Sequence, residues 1–338
     1  MIARANGGTI SITGVGAYAP DRVVTNDELS ERMETSDEWI VERTGIRERR
    51  IAADDQALSD LSLPAARQAL EQAGVEAGSL DLIIVATVTP DMAFPSSAAI
   101  IADELGAPEA AAYDLSAGCT GFMYALAQGY GMLAGGLARR ALVVGGDVLS
   151  RILDWSDRRT AVLFGDGAGA VVLDRASEGG FLGFELGADG SGGPELYLPA
   201  GGSRVPASAE TVAAGRHFVQ MNGREVFKFA TRVLVSSAEK VLAECGRSVE
   251  EVDVYIPHQA NIRIIDHAAA KLGIPKEKIV VNVERYGNTS SGSIPLALAD
   301  AQAEGRLGEG ALVLMTGMGA GLTWGSSLIE WTANGRRP

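Results

Sequence analysis

Hydrophobic and polar positions along the chain follow two different periods, which predicts that helices and buried strands alternate. The run LIIVATV, residues 82–88, is almost wholly apolar, as expected of a strand within 80–88 that is covered on both faces. Before it, residues 61–74 carry apolar side chains at helical spacing and end at a glycine. The same reasoning predicts strands at 10–15, 141–144 and 252–256, and helices at 25–34, 36–43 and 97–105.

Turn and cap residues divide this pattern further. Asn26, Thr35 and Ser36 are the predicted caps of the two early helices. The glycines of residues 145–147 are predicted to end the strand before them, and those within 161–173 to interrupt two strands. Residues 179–202 are rich in Gly and Pro, which indicates a boundary between two halves, 1–178 and 179–338.

The second half repeats part of the first. The spacing Leu70-x3-Gly74-x6-Asp81-x2-Ile84 recurs 172 residues later, beginning at Leu242. ALVV at 141–144 is matched by ALVL at 311–314, an offset of 170. Two matches at nearly one offset, each on an equivalent predicted strand, indicate a duplication into two α/β halves about a pseudo-two-fold axis.

Cys119 lies at the turn between a predicted strand and an apolar helix, within residues 111–136. A helix N-terminus presents unpaired N–H groups and the positive end of the dipole, which favour an anion. A thiol so placed can ionise near neutral pH, and Cys119 is therefore a candidate nucleophile. The alternative is a small buried residue without reactivity, which is the common fate of a free cysteine.

The duplication predicts which side chains face Cys119. An offset of 170 places Thr289 opposite the cysteine, so that Asn288 would share its cleft. His258 follows the strand predicted at 252–256, at the end where open α/β sheets carry their sites. The other two histidines, His217 in a polar stretch and His267 within a helix predicted to begin near residue 261, read as structural.

Composition limits the possible partners. The chain has 338 residues, with 29 Lys+Arg against 43 Asp+Glu, and its net charge of -14 disfavours nucleic-acid binding. Two cysteines without metal-ligand spacing predict free thiols and no metal site. Residues 1–20 lack the pattern of a signal peptide and no apolar run is long enough to span a bilayer, so we expect a cytoplasmic protein without membrane contact. The basic cluster at 47–50 reads equally as a solvated turn or an anion contact.

Seven segments resemble a known family in order along the chain. They are TSDEWIVERTGI (35–46), DLSAGCTGF (114–122), TAVLFGDGAGA (160–170), MNGREVFKF (221–229), PHQANIRI (257–264), RYGNTSSGSIP (285–295) and GAGLTWG (319–325). The family is β-ketoacyl-acyl carrier protein synthase III, the acyltransferase that begins fatty-acid synthesis. The resemblance implies a thiolase-like fold, in which two pseudo-symmetric α/β halves form a layered αβαβα core.

The resemblance also implies a mechanism. Cys119 would be acylated by a short acyl-CoA, and His258 and Asn288 would complete the triad. Malonyl-acyl carrier protein would then lose CO2, and its enolate would attack the acyl-cysteine to give a 3-ketoacyl-acyl carrier protein. The backbone N–H groups of Cys119 and Ala320 would form an oxyanion hole. Acyl-CoA is a substrate in this mechanism, and no permanently bound cofactor is expected.

Other positions receive expected roles from the same resemblance. CoA would be bound by five residues: Trp39, Arg43, Arg158, Gly223 and Asn261. The acyl pocket would include Phe94, Phe164 and Met318. Acyl carrier protein, which is acidic, would dock at Lys228, Arg263 and Lys271. The enzyme is expected to be a homodimer in which Phe94 reaches the partner subunit's acyl pocket.

Two positions depart from the family pattern, and three other functions remain open. Met318 stands where an aromatic residue is usual, and Ala320 where glycine is common. The first alternative is a sister ketosynthase that primes polyketide or other secondary-metabolite synthesis with a larger acyl group. The second is a Cys-His-Asn thiol hydrolase, which would release free acid, and the third is a binding module without catalysis.

Overall fold

The computed structural model describes residues 9–332. The start of the first predicted half, residues 1–8, and the end of the second, residues 333–338, lie outside these residues. The strands are β1 (Thr9–Tyr18), β2 (Val23–Thr25), β3 (Glu48–Arg50), β4 (Leu82–Ala86), β5 (Ala111–Leu115), β6 (Ala141–Asp147), β7 (Gly167–Ala176), β8 (Gly180–Ala188), β9 (Leu196–Tyr197), β10 (Gln220–Met221), β11 (Val254–Pro257), β12 (Leu312–Gly319) and β13 (Thr323–Glu330). The helices are α1 (Asn26–Ser30), α2 (Asp37–Thr44), α3 (Leu58–Ala73), α4 (Ser97–Leu105), α5 (Gly121–Ala134), α6 (Ala209–Ala213), α7 (Gly223–Glu244), α8 (Ile262–Leu272), α9 (Val283–Tyr286) and α10 (Ser293–Ala303).

Two sheets carry the core. The first has the order β1-β7-β6-β4-β5, and the second has the order β11-β12-β13-β8. In the first, β4 runs parallel to both β5 and β6, and in the second β11 runs parallel to β12, while the remaining neighbours are antiparallel. Every residue of β4, β6, β11 and β12 is buried, as expected of strands covered on both faces.

Helices cover both sheets and separate them. Helices α3 and α4 pack on the outer face of the first sheet, and α7 and α8 pack on the outer face of the second. Between the sheets, α5 and α10 share one hydrophobic cluster with strands of both. The layers therefore follow the order αβαβα, which confirms the predicted fold class.

The early helices are capped differently from the prediction. Ser36 caps α2, with its hydroxyl accepting the Trp39 N–H, as predicted. Helix α1, however, is capped by Thr25 and not by Asn26. The Asn26 side chain is buried instead, where its amide donates to Asp37 and to the carbonyl of Ile46.

Two glycine-rich segments were predicted wrongly. Residues 145–147 continue β6, where a Cβ on Gly145 would lie 2.3 Å from the carbonyl oxygen of Ser291. Residues 161–173 do not form two strands: a turn precedes the single strand β7. The segment 179–202, predicted as the boundary between the halves, also contains β8, which forms an edge of the second sheet. In β6, glycine allows close packing instead of ending the strand.

Arg49, in the predicted surface cluster, is fully buried in β3. Its guanidinium donates to the carbonyls of Val24 and Val162 and to the side chain of Asn26. Burial lowers the pKa of Arg49 to about 10. The side chain is neither a solvated turn residue nor a surface anion contact, and it joins the segment around β2 and β3 to residue 162.

The internal duplication is present with one uniform offset. The pair Leu82–Ala141, which joins β4 to β6, is matched by Val254–Val313, which joins β11 to β12, 172 residues later. A 3₁₀ turn at Gly118–Thr120 precedes α5, and its counterpart at Ser290–Gly292 precedes α10, again 172 residues later. The predicted offset of 170 for the 141–144 strand is therefore corrected, and the counterpart of Cys119 is Ser291 instead of Thr289.

Within residues 9–332, none of the helices combines the length and the apolar character that a membrane-crossing segment needs.

Candidate active site

Cys119 lies in the 3₁₀ turn between β5 and α5, and its side chain is buried. The preceding Gly118 has a φ of +56°, and a Cβ there would lie 2.8 Å from the backbone nitrogen of Ala320. Glycine is thus required at residue 118 both by backbone conformation and by the close approach of the second half. The cysteine is brought to the helix N-terminus as predicted.

His258 follows β11, and its backbone N–H donates to the carbonyl of Thr316 over 2.7 Å. Its Nδ1 lies 2.5 Å from the Ser293 hydroxyl, which also accepts the Gln259 N–H over 3.4 Å. A hydroxyl that accepts from Gln259 can donate its own hydrogen to Nδ1, and in that arrangement the imidazole proton lies on Nε2. Nε2 is buried and has no hydrogen-bond partner among the described residues.

Asn288 is held by its backbone beside residue 164. Its N–H donates to the carbonyl of Leu163 over 2.8 Å, and its carbonyl accepts the Gly165 N–H over 3.0 Å. The side-chain Oδ1 accepts the N–H of Ser290 over 2.9 Å. Because Oδ1 is engaged, the amide orientation that satisfies the turn leaves Nδ2 as the donor for a substrate.

Cys119, His258 and Asn288 line one cavity. A second cavity also reaches Cys119, and Phe164 lines both. The sulfur therefore stands where a tunnel from the surface meets a separate apolar space. A thioester could place its leaving group in the first space and its acyl chain in the second.

The thiol is less acidic than its place at the helix end predicted. Burial raises the pKa of Cys119 to about 11, and the nearby Asp147 carboxylate adds to this effect. Three hydrogen bonds act in the opposite direction: one from the Ser290 side chain and one each from the backbone N–H groups of Cys119 and Ala320. Desolvation exceeds these interactions, so the free thiol is protonated near neutral pH and the predicted ionisation is corrected.

The two backbone donors at the sulfur are those expected to form an oxyanion hole. Gly319, the last residue of β12 and the neighbour of Ala320, has no room for a side chain, since a Cβ there would lie 2.5 Å from the Cys119 nitrogen. The lack of a side chain at Gly319 lets the backbones around Cys119 and Ala320 approach each other, so that both N–H groups face one region. A carbonyl oxygen next to the sulfur can accept from both.

Asp147, at the end of β6, connects the halves behind the nucleophile. It is fully buried and accepts from the Thr87 and Thr89 hydroxyls and from the Val88 N–H. From the second half, the N–H and hydroxyl of Ser291 donate to its other oxygen. Five donors satisfy this buried carboxylate, so it holds the turn that follows Asn288 against the first sheet.

Five residues predicted to bind CoA line the tunnel: Trp39, Arg43, Arg158, Gly223 and Asn261. The guanidinium groups of Arg43 and Arg158 lie 4.5 Å and 5.1 Å from the centroid of the Trp39 ring. Asn261 caps α8 and donates from Nδ2 to the carbonyl of Arg43 over 3.0 Å. An aromatic surface with two cations at the tunnel is suited to a nucleotide with phosphates.

The three residues expected in the acyl pocket occupy different places. Phe164 lines both cavities, whereas Met318 lines only the tunnel, where it packs with Phe229 and Ile264. Phe94 lines neither cavity of its own chain and is 85% exposed. The second cavity is lined instead mainly by apolar side chains, among them Val88, Leu149, Ile152, Leu196, Leu198 and Val219.

The three expected docking residues are exposed on α7 and α8, which pack together. Lys228 forms an ion pair with Glu225 over 2.7 Å, and Arg263 lies over the ring of Phe227, 5.7 Å from its centroid. Lys271 is in the last turn of α8. His217 bonds to the hydroxyl of Thr211, whereas His267 is exposed on α8.

Sequence analysis missed three residues that support the site: Asp147, Ser290 and Ser293. The two serines fall within the segment 285–295 that carried the family resemblance, so position in a motif was a usable signal for them. Nothing in the local pattern distinguishes the buried Arg49 and Asp147 from solvent-exposed charges. Among residues 9–332, no group of three or more His, Cys, Asp or Glu is arranged to hold a metal ion.

A doubled α/β scaffold that buries a thiol between a tunnel and an apolar cavity defines the class of thiolase-fold condensing acyltransferases. The family model 3-oxoacyl-[acyl-carrier-protein] synthase III matches residues 113–190, and the model of its C-terminal region matches 242–331. The β-ketoacyl-[acyl-carrier-protein] synthase III of Symbiobacterium thermophilum is 54% identical over 323 residues, which are 95% of this chain and 98% of that protein. The chain therefore belongs to the β-ketoacyl-acyl carrier protein synthase III family.

Two solved structures illustrate the similarity. The synthase III of Thermus thermophilus has 47% identity and a TM-score of 0.89, with coverage of 96% of this chain and 99% of that one. The priming β-ketosynthase of the R1128 polyketide pathway has 36% identity and a TM-score of 0.90, with coverage of 98% and 99%. The fold is therefore shared by a synthase III and by a priming β-ketosynthase of a polyketide pathway.

Proposed function

We propose that the protein condenses a short acyl-CoA primer with malonyl-acyl carrier protein, losing CO2 and giving the 3-ketoacyl-acyl carrier protein that begins fatty-acid synthesis. The observation that carries this proposal is the meeting of a tunnel and an apolar cavity at Cys119, with His258 and Asn288 in the same tunnel. The curated relative at 54% identity is a synthase III, which favours fatty-acid priming over the polyketide alternative.

The first half-reaction is acyl transfer to Cys119. The sulfur attacks the thioester carbonyl, whose oxygen is held by the N–H groups of Cys119 and Ala320. The bond between the acyl carbon and the CoA sulfur breaks, and CoA leaves as a thiol with the proton that the cysteine gave up. The acyl chain then occupies the apolar cavity, which excludes water from the thioester.

The second half-reaction needs neutral hydrogen-bond donors. Burial lowers the pKa of His258 to about 3, so the imidazole is neutral at physiological pH. Its Nε2–H and the Asn288 amide can donate to the malonyl thioester oxygen as charge develops during loss of CO2. The resulting carbon nucleophile attacks the acyl carbonyl, the bond to Cys119 breaks, and the thiolate takes a proton from solvent.

The proposed binding of CoA and acyl carrier protein follows the charges at the tunnel. Arg43 and Arg158 beside Trp39 offer cations and an aromatic face to a nucleotide with phosphates. Lys228, Arg263 and Lys271 are exposed cations on a chain of net charge -14, which supports them as contacts for an acidic carrier. CoA acts as a substrate here, and the proposed reaction needs no resident cofactor.

We further propose a cytoplasmic homodimer built from chains with halves 1–178 and 179–338. The strands of the first sheet end at Ala176 and those of the second begin at Gly180, which supports the division. Phe94 and the neighbouring Met92 are exposed apolar side chains, as expected where a second subunit docks. In the dimer, Phe94 would enter the partner's acyl pocket.

The function is tested by its two half-reactions. Incubation with acetyl-CoA or a short branched acyl-CoA should add one acyl group to the wild-type chain, measured by intact mass. Malonyl-acyl carrier protein should then release ketoacyl product from it. Cys119→Ala should take up no adduct because it lacks the sulfur. His258→Ala and Asn288→Ala should still be acylated, but should lose malonyl decarboxylation by about 100-fold or more, since each removes a donor to the developing charge.

Controls separate the alternatives. Free acid instead of ketoacyl product would indicate a thiol hydrolase, and turnover only with large acyl-CoA primers would favour the secondary-metabolite ketosynthase. An adduct on Cys119→Ala would show that another residue is the nucleophile. Equal loss of both half-reactions in His258→Ala and Asn288→Ala would contradict the roles assigned to them.

A further inference from the structure

Arg49 and Asn26 form a buried polar contact between two segments that border the tunnel. Arg49 is fully buried and Asn26 is 1% exposed. Nη1 of Arg49 donates to Oδ1 of Asn26 over 2.9 Å, and Nη2 donates to the carbonyl of Val162 over 2.9 Å. The hydrogen bonds of Arg49 within residues 9–332 go to uncharged oxygens. A buried guanidinium that bonds no carboxylate costs free energy that an apolar side chain avoids, so its presence needs an explanation.

The Asn26 amide holds both ends of α2. Its Nδ2 donates over 2.8 Å to Oδ1 of Asp37, the first residue of the helix, and over 2.8 Å to the carbonyl of Ile46, two residues past its end. Helix α2 carries Trp39 and Arg43, which line the tunnel. Because one amide bonds to both ends, it fixes where the helix places these two side chains.

Residues 162–164 line the same tunnel and are bonded to the catalytic half of the site. The carbonyl of Leu163 accepts the N–H of Asn288 over 2.8 Å. Three hydrogen bonds in series, from Asp37 through Asn26 and Arg49 to Val162, therefore join α2 to this wall. A guanidinium presents its donors in a rigid planar fork, so it sets the distance between its acceptors more strictly than an apolar contact does.

A second contact joins the same two segments at the surface. Nη1 of the exposed Arg158 donates to the carbonyl of Glu34 over 2.6 Å, and its guanidinium lies 5.1 Å from the centroid of the Trp39 ring. Arg158 is itself one of the cations proposed to bind CoA, so its contacts change when the ligand arrives. The buried contact between Asn26 and Arg49 reaches neither the tunnel nor the ligand, and it holds the segments together in both states.

We infer that Asn26 is a positioning residue for CoA, which acts with Arg49 to hold α2 at a set distance from residues 162–164; this rests on the function proposed above. Trp39 and Arg43 are then arranged for the nucleotide before CoA arrives, so less binding free energy is spent on ordering them. The carrier protein delivers its malonyl group on pantetheine without the adenine nucleotide. Its binding therefore does not depend on the placement of α2.

Calorimetric titration of the free enzyme with CoA tests this role. Asn26→Asp keeps an acceptor for Arg49 but loses both donors and places a carboxylate against Asp37. Asp37→Asn, added to it, restores a donor and reverses the direction of the hydrogen bond. The matched control is Asn282→Asp, because Asn282 is 1% exposed and donates to Asp300 over 2.7 Å, yet it lines neither cavity.

Asn26→Asp should weaken CoA binding about tenfold, because a displaced α2 no longer presents a pre-arranged site. The double variant should recover most of the wild-type affinity. Asn282→Asp should bind CoA as the wild type does although its melting temperature falls. In turnover, Asn26→Asp should raise the KM for acetyl-CoA about tenfold and leave kcat and the KM for malonyl-acyl carrier protein unchanged, a division that general destabilisation would not produce.

Asp37→Asn alone separates the hydrogen bond from the effect of charge. Its side-chain oxygen still accepts from Asn26, so its affinity for CoA should equal that of the wild type. If long-range charge were the cause, Asp37→Asn would bind CoA more tightly by the factor by which Asn26→Asp binds it more weakly. That result would overturn the inference, because the two substitutions would then act independently.

Asn26→Ser removes the amide without a change in charge, and it takes the place of Asn26→Asp if that variant does not fold. It should weaken CoA binding to a similar extent. Wild-type affinity in the folded Asn26 variants contradicts the inference, and so does an equal loss in Asn282→Asp. If CoA binding depends on Asn26 but the wild type forms no ketoacyl product, the proposed function fails while the positioning role stands. Ketoacyl product with a KM for acetyl-CoA that is independent of Asn26 has the reverse meaning.

Discussion

The His258 imidazole is kept neutral by its surroundings. It is buried, one ring nitrogen contacts Ser293, and the other has no partner among the described residues. Burial lowers its pKa to about 3 because a charged ring would lose its hydration. A neutral ring with its proton on Nε2 donates a hydrogen bond without the cost of proton transfer.

This depressed pKa predicts how stability depends on pH. In the unfolded chain the imidazole binds a proton near pH 6.5, whereas in the folded chain it does not do so until about pH 3. The unfolded state thus gains protons first, and the free energy of unfolding falls as the pH decreases below 6.5. Between pH 6.5 and pH 5 the contribution of His258 is about 1.5 kcal/mol.

Urea unfolding of the wild type and His258→Gln at pH 5, 5.5, 6 and 6.5 measures that contribution. The variant should lose less stability over this range than the wild type, by the amount given above. His267→Gln, which removes an exposed imidazole from α8, is the control and should keep the wild-type slope. A slope in His258→Gln equal to that of the wild type would mean that the imidazole titrates normally in the folded protein.

At the level of elements, glycines determine how closely strands and helices approach. Gly14 and Gly16 in β1 lie under α3, where a Cβ on Gly16 would be 2.1 Å from the carbonyl oxygen of Ala65. The two glycines therefore permit close packing of β1 against α3. The same principle applies at Gly145 in β6 and Gly319 in β12.

Gly16→Ala should lower the free energy of unfolding by about 3 kcal/mol, the upper range for overpacking, because the obstructing atoms belong to a helix backbone that cannot rotate away. Gly131→Ala is the matched control on the exposed side of α5, where a Cβ would have no atom within 4 Å. That variant should gain about 0.5–1 kcal/mol from helix propensity. Chemical denaturation measures both, and equal stability of the two variants would refute the packing argument.

For the whole molecule, the site depends on the two halves remaining together. Cys119 comes from the first half, and His258 and Asn288 come from the second. Asp147 bonds to Ser291 across this junction, and α5 and α10 share a hydrophobic cluster with both sheets. A catalytic site formed at such a junction is stabilised by the entire core instead of by one loop.

The exposed apolar residues predict the assembly state. Phe94 and Met92 project from the first half, at 85% and 48% exposure. Phe94→Asp should shift the protein from dimer to monomer, because a carboxylate in an apolar interface would be desolvated. Leu137→Asp, at a leucine that is 75% exposed, is the control and should leave the dimer intact. Size-exclusion chromatography with light scattering measures both, and a wild type that runs as a monomer would contradict the homodimer proposal.

Local sequence patterns were sufficient for much of the scaffold. The helix at 97–105 agrees with α4, and the turn before the apolar helix brought Cys119 to a helix N-terminus. The repeat of residues 70–84 correctly indicated a duplication. The helix and the turn could be predicted because hydrophobic periodicity and glycine positions are visible within a few residues of each element.

Predictions failed where the environment is formed by distant residues. The thiol of Cys119 was expected to be acidic, but burial among both halves raises its pKa instead. Arg49 was expected at the surface, but carbonyls of Val24 and Val162 enclose it. Burial and hydrogen-bond partners depend on long-range packing, which a local window does not contain.

The sequence by itself determined two α/β halves and a cysteine at a strand-to-helix turn, because hydrophobic periodicity, turn residues and an internal repeat can be read along the chain, and the family resemblance implied the layered core. Only the tertiary structure decided the uniform offset of 172, the neutral state of His258 and the raised pKa of the Cys119 thiol. The physical reason is that hydration and hydrogen bonding at a buried site are set by groups that folding brings together from both halves.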